Sequence, residues 1–170
     1  MMHQVFRYIP VMACIWVAAA SAADITLSGT VVAASCTVDT GTKEQTVRFQ
    51  QARAVDYTTV GNTSEWQDVD LTLSACPLST RQVTVSFSGD ADDIDPTKFA
   101  NIQGDATGMA LELMSRDHLT EIPPQGQMTV DVDRTTRGAV FPLSARMYTP
   151  TGNVTAGEFK AVVQFSFTYQ

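Results

Sequence analysis

Residues 157–170 form the most constraining stretch of the chain. From position 159 every second residue is apolar (Phe159, Ala161, Val163, Phe165, Phe167, Tyr169), with Val162 the one apolar residue on the other face. That two-residue period is the signature of a strand buried on one side. So aromatic a strand is not left bare at a sheet edge, because its apolar row and unpaired backbone groups template aggregation. Something must cover it, either another strand of the same domain or a strand from elsewhere. A second alternating segment, residues 23–32, places Ile25, Leu27, Gly29 and Val31 on one face and offers itself as such a strand.

The first 22 residues are set apart. Arg7 opens a largely apolar run that ends in Ala20-Ser21-Ala22, the small-x-small form that signal peptidase reads. The apolar run is short for a membrane span of about 20 residues, so stable insertion in the membrane is not expected. With the signal removed, residues 23–170 suffice for one domain. The whole sequence carries a net charge of −7. Arg7 is the only charged residue of the signal, so the mature segment is more acidic still, and nucleic acid is not an expected partner. Cys14 goes with the signal, leaving Cys36 and Cys76. In an exported chain such a pair most simply forms one disulfide, the other reading being two separate buried thiols.

Strand signals recur throughout and helix signals are nearly absent. Val69, Leu71, Leu73 and Ala75 alternate with polar residues, as do Val83, Val85 and Phe87; Met109, Leu111 and Leu113; Met128, Val130 and Val132; and Phe141, Leu143, Ala145 and Met147. Residues 30–38 and 46–49 are β-branched but less regular. Turn-rich stretches separate these segments, among them Gly61-Asn62 and Pro123-Pro124-Gln125-Gly126. Many short one-faced strands predict an antiparallel β-sandwich. Pro142 within a strand pattern predicts an edge position or a bulge. Trp66 is not placed as the core tryptophan of a true immunoglobulin domain, so the sandwich is immunoglobulin-like at most.

Residues that could carry chemistry are few. The acidic run 89–95 fails the calcium-loop template, with Ile94 where a ligand belongs and Asn101 where a bidentate Glu belongs, and reads as a solvated loop. No motif places a nucleophile or base beside His118, the one histidine after the signal. No catalytic, metal or cofactor residue is expected, and the chain is not expected to be an enzyme. Asn62-Thr63-Ser64 and Asn153-Val154-Thr155 are formal sequons with no carbohydrate expected on them.

Taken together, the residues resemble the pilin subunits assembled by the periplasmic chaperone and outer-membrane usher, in particular the minor adaptor subunits of type 1 fimbriae. Tyr169 is penultimate, Gly157 is fourteenth from the end, and the apolar row lies between them. Residues 23–32 are similar to the family's N-terminal extension, with Gly29 where that extension needs no side chain. Cys36 and Cys76, the run Trp66-Gln67-Asp68-Val69-x-Leu71-x-Leu73-x-x-Cys76-Pro77, and Ser86-Phe87-Ser88-Gly89 are closer to adaptors than to rod subunits.

The resemblance implies an all-β fold: an incomplete immunoglobulin-like antiparallel β-sandwich completed by a donor strand from another subunit. It implies a signal peptide at 1–22, a donor-strand extension at 23–33 and a pilin domain at 34–170. Ile25, Leu27, Gly29 and Val31 would be the donor strand; Gly157, Phe159, Ala161, Val163, Phe165, Phe167, Tyr169 and Gln170 would edge the groove that binds the chaperone and then a neighbouring pilin. The chaperone would hold the terminal carboxylate of Gln170 with basic residues. The implied destination, through the periplasm, is a fimbrium at the cell surface, where the subunit contributes to adhesion. The competing class is a self-contained secreted β-sandwich that binds a receptor or carbohydrate, for which a complete domain is expected.

Overall fold

The computed structural model describes residues 35–170. The segments expected to be signal and donor extension, with Ile25, Leu27, Gly29 and Val31, lie outside the described residues, as does most of the expected strand at 30–38. The described end of that strand is the short β1 (Thr37–Val38), succeeded by one helical turn, α1 (Thr40–Lys43), and a 3₁₀ turn at Ala54–Asp56. The remaining elements are strands: β2 (Gln67–Ser74), β3 (Gln82–Ser88), β4 (Phe99–Ala100), β5 (Ala110–Ser115), β6 (Gln127–Asp131), β7 (Ala139–Tyr148) and β8 (Gln164–Tyr169).

All pairings are antiparallel, in two sheets ordered β1-β2-β7-β5-β4 and β6-β3-β8. The alternation dictates the layering. Val69, Leu71 and Leu73 of β2, Phe141, Leu143 and Ala145 of β7, and Leu111 and Leu113 of β5 turn inward from one sheet to meet Val83, Val85 and Phe87 of the other. Asp68 and Asp70 stay exposed on the outer face. The strands expected from the sequence at 69–75, 83–87, 109–113, 128–132 and 141–147 are present, to within a residue or two at their ends.

Three local expectations are corrected. Pro142 sits neither at an edge nor in a bulge but inside β7, between β2 and β5, opposite Asp70. Its carbonyl accepts from Arg116, one residue past the end of β5, so the missing N–H falls where that ladder stops rather than in its middle. β5 is buried on both faces, because Glu112 on its outer side is covered by Lys98. Residues 46–49 are not a paired strand, since no described strand lies against them.

Cys36 and Cys76 are disulfide-bonded, tying the start of the described chain to the end of β2. Trp66 packs outside the core, stacked on His118 with centroids 4.2 Å apart and under the Arg146 guanidinium at 4.0 Å. The acidic loop uses its own carboxylates: Asp92 accepts from the amides of Ile94 and Asp95, and Asp95 accepts from Thr97.

On the outer face of the larger sheet, Lys98 is buried against Glu121, Glu112 and Asp95, and Glu112 also holds Arg146. Burial alone would lower the lysine's pKa, but the hydrogen bond to Glu121 and the charges of Glu112, Glu121 and Asp95 outweigh it and leave it raised. A raised lysine stabilises the fold fully below its unfolded value of about 10.4, and that contribution fades as pH climbs through the folded value. Lys98→Met should cost about 3 kcal/mol at neutral pH, the low end for breaking a buried pair because Arg146 still holds Glu112. In urea unfolding, it should also flatten the alkaline loss of stability above about pH 10. Breaking the disulfide, which closes a separation of 40 residues, by Cys36→Ser with Cys76→Ser should cost about 4 kcal/mol in the same measurement.

Candidate functional site

Among the described residues, β8 has a partner on one side only. It pairs with β3, from Val83 opposite Tyr169 to Ser88 opposite Gln164. Gln82 and Gln170 exchange both backbone hydrogen bonds, at 3.1 and 2.9 Å. Backbone direction alternates along an antiparallel ladder, so the even residues of β8 point their amides and carbonyls at β3 and the odd ones point them away. The same parity continues upstream. The carbonyls of Glu158 and Lys160 accept from Ala106 and Gln103, and the Lys160 amide donates to Asn101 Oδ1 at 2.6 Å. The odd residues Phe159, Ala161, Val163, Phe165, Phe167 and Tyr169 therefore turn one backbone edge toward a space that no described strand fills.

Their side chains project into the core from that same edge. All six are half-buried and pack on the core cluster, with Phe167 5.6 Å from Phe141 and 5.7 Å from Phe165 between ring centroids. The opposite wall is residues 45–51, which make no backbone-to-backbone hydrogen bond among the described residues. Val47 and Phe49 turn inward there, and Phe49 meets Phe159 edge-on at 5.9 Å. Between the walls runs a cleft of about 850 Å³, its floor made by Leu111, Met109, Met147 and Tyr57. Burial raises the phenol pKa values of Tyr57 and Tyr169, helped at Tyr57 by the charge of Asp56, so both remain neutral around pH 7.

Two unpaired backbone edges over an apolar floor suit one ligand shape, an extended chain: its peptide groups bond to both walls and its alternate side chains enter the floor. Of the residues singled out from the sequence, Phe159, Ala161 and Val163 line the cleft as one wall, and Phe165, Phe167 and Tyr169 continue the same unpaired edge beyond it. Gly157 closes the end of it, where a Cβ would stand 2.6 Å from the Ala106 nitrogen and from Asp105 Oδ1. Gln170 is an even position bonded to Gln82, and its carbonyl also accepts from the Arg81 amide. Sequence reasoning missed the facing wall and the floor, Val47, Phe49, Tyr57, Met109 and Met147 as a group. The alternation Val47-Arg48-Phe49 was the available signal for the wall.

The fold is an incomplete immunoglobulin-like β-sandwich, and its open side defines a subunit built for assembly rather than an enzyme. The sequence profile of the fimbrial protein family matches residues 25–170, and the chain belongs to that family. It is 38% identical to Protein FimG of Escherichia coli K12 over 85% of this chain and 83% of FimG. It is 29% identical to the type 1 fimbrial subunit of Salmonella typhimurium over 86% and 82% of the two chains. In fold it is similar to the P pilus rod subunit PapA, with a TM-score of 0.65 and 20% identity, covering 81% of this chain and 100% of PapA. The chain is a structural fimbrial subunit, and its relatives imply neighbouring subunits as partners.

The close approach at Gly157 makes a specific demand. Gly157→Val should push residues 157–160 off the 104–106 loop and cost about 1–3 kcal/mol in urea unfolding. Ala156→Val, at an exposed neighbour, should stay within about 0.5 kcal/mol.

Proposed function

We infer that the cleft accepts one extended strand from another polypeptide and that the subunit polymerises by donor-strand exchange. A periplasmic chaperone lends the strand during export, and at the outer-membrane usher the N-terminal extension of a neighbouring subunit replaces it. This subunit's own extension, through Ile25, Leu27, Gly29 and Val31, fills a neighbour's groove in turn. The observation that carries the reading is the parity of the wall. The odd residues 159–169 leave their in-plane backbone groups free on the side where an incoming strand would lie, while their side chains face the core that such a strand would help to cover. An acidic subunit also suits the basic cleft expected of the chaperone. A place as a minor adaptor near the tip is supported by the run from Trp66 to Gly89 and by the higher identity to FimG than to the type 1 subunit.

The energetics favour a durable joint. Burying Ile25, Leu27 and Val31 is worth roughly 4.5–9 kcal/mol at about 1.5–3 per side chain, and each backbone bond adds about 1 kcal/mol net. The mature chain alone should therefore aggregate, and a periplasmic chaperone or a peptide copying a neighbouring subunit's N-terminal extension should keep it monomeric. At a hundredfold excess over its Kd the peptide should add about 2.7 kcal/mol, read as a rise in Tm. Phe165→Asp or Phe167→Asp should abolish that rescue by placing a charge in the wall. A soluble, cooperatively folded monomer with no partner and no affinity for such peptides would instead indicate a complete sandwich acting as a secreted binding protein.

A further inference from the structure

The two walls of the cleft differ from the floor in one respect, their outward-facing charge. Residues 45–51 start near the disulfide end, where Cys36 joins Cys76, and lead toward Tyr57, which packs on Met109 and Met147 at the other end. The second wall runs the opposite way, from Gly157 beside Ala106 to Gln170 beside Arg81. The antiparallel walls can be aligned on the ring contact of Phe49 with Phe159. By the two-residue period, Val47 and Ala161 then form the next inward level, and Arg48 faces Lys160 on the outward side between them.

Both cations are exposed, both line the cleft, and neither is in an ion pair among the described residues. Arg53, farther along the same wall, is spent on Asp56 at 3.0 Å. Glu158, the one acidic group lining the cleft, belongs to the next outward level, opposite Gln50, and the level on the other side holds Thr46 and Val162. A strand lying between the walls would carry one outward side chain with a cation as cross-strand neighbour on each side. Opposite charges directly across a ladder stabilise it and like charges destabilise it.

We propose that Arg48 and Lys160 form a cationic gate over the cleft that selects a donor strand carrying an Asp or Glu on its outward face at that level, and a neutral residue at the flanking level beside Glu158. This rests on the strand-accepting reading of the cleft. It adds what that reading lacks, a chemical criterion for which neighbour is accepted. The alternating pattern of this chain's own extension puts Asp24, its only charge, with Thr26, Ser28 and Thr30 on the outward face, so such a donor has a precedent in its own sequence.

The test uses the full mature chain and fluorescent peptides of residues 23–33, with Asp24→Asn giving a neutral parent. Native Asp24, Thr26→Asp, Ser28→Asp and Thr30→Asp are each compared with Lys at the same position by anisotropy. At one outward position the acidic peptide should bind about tenfold tighter than the lysine peptide at 20 mM salt, with the ratio falling toward about threefold at 0.5 M. In the chain carrying Arg48→Glu and Lys160→Glu, the preference at that position should reverse, the lysine peptide then binding tighter than the acidic one. Binding of all peptides without an acid-over-lysine preference at any position, or a preference that survives the double charge reversal, would overturn the gate and leave the strand-accepting reading intact. Failure of the neutral parent to bind at all would overturn that reading, and the gate with it.

Discussion

A peptide group shut away from water without a hydrogen bond costs about 1–3 kcal/mol, more than most single contacts return. In this subunit an entering strand would bring that constraint to bear along two lines. The odd residues from Phe159 to Tyr169 on one side and residues 45–51 on the other leave backbone groups unpaired among the described residues. Each of those odd residues also contributes an apolar side chain half-covered by the core. A side chain or a small molecule could cover the floor, but only a second backbone with a strand's own spacing satisfies the two walls. The polar requirement, rather than the apolar area, makes the cleft a strand site.

The cleft keeps its shape because the incompleteness is confined to one sheet. The five-stranded sheet is paired through its centre, with β7 held by β2 over seven residue pairs and by β5 over six. Its inner face supplies Phe141, Leu143 and Leu111, against which β3 and β8 rest. Its outer face is fastened by the Lys98, Glu112 and Arg146 network and by Arg116, which spans Asp68 and Asp70. The disulfide anchors the chain just before it crosses to the far wall. A groove held this way loses less entropy when a strand enters than one that must first be assembled, which favours affinity at a given area.

Much of this was legible in the sequence, and what was not shares a physical cause. Strands such as 69–74, 83–87 and 164–169 declare themselves by local alternation, since the period of two is set by the backbone itself. The open edge also followed, because an aromatic row such as Phe165, Phe167 and Tyr169 demands a cover. The facing wall did not. Val47 and Phe49 look like any short β-branched segment until the fold sets them across from Phe159, more than a hundred residues away in the chain. Pro142 misled for a related reason: the rule that confines proline to edges depends on where the neighbouring strand ends, and β5 stops beside it. Glu112 reads as a solvent-facing residue of β5 until Lys98, brought by a separate loop, covers it.

The level between Arg48 and Lys160 shows how a generic strand site acquires selectivity. Backbone bonds accept almost any sequence, and the floor discriminates by size on one face of the entering strand. The other face remains in contact with water, where charge pairs are weak and screened. Two like charges flanking a single position act on it from both sides, so a lysine there meets two repulsions and a carboxylate two attractions. Selectivity arises from the difference between those states rather than from the strength of either. It adds little to the affinity that the floor and ladder provide, and separates competing strands mainly by disfavouring those with a cation at that position.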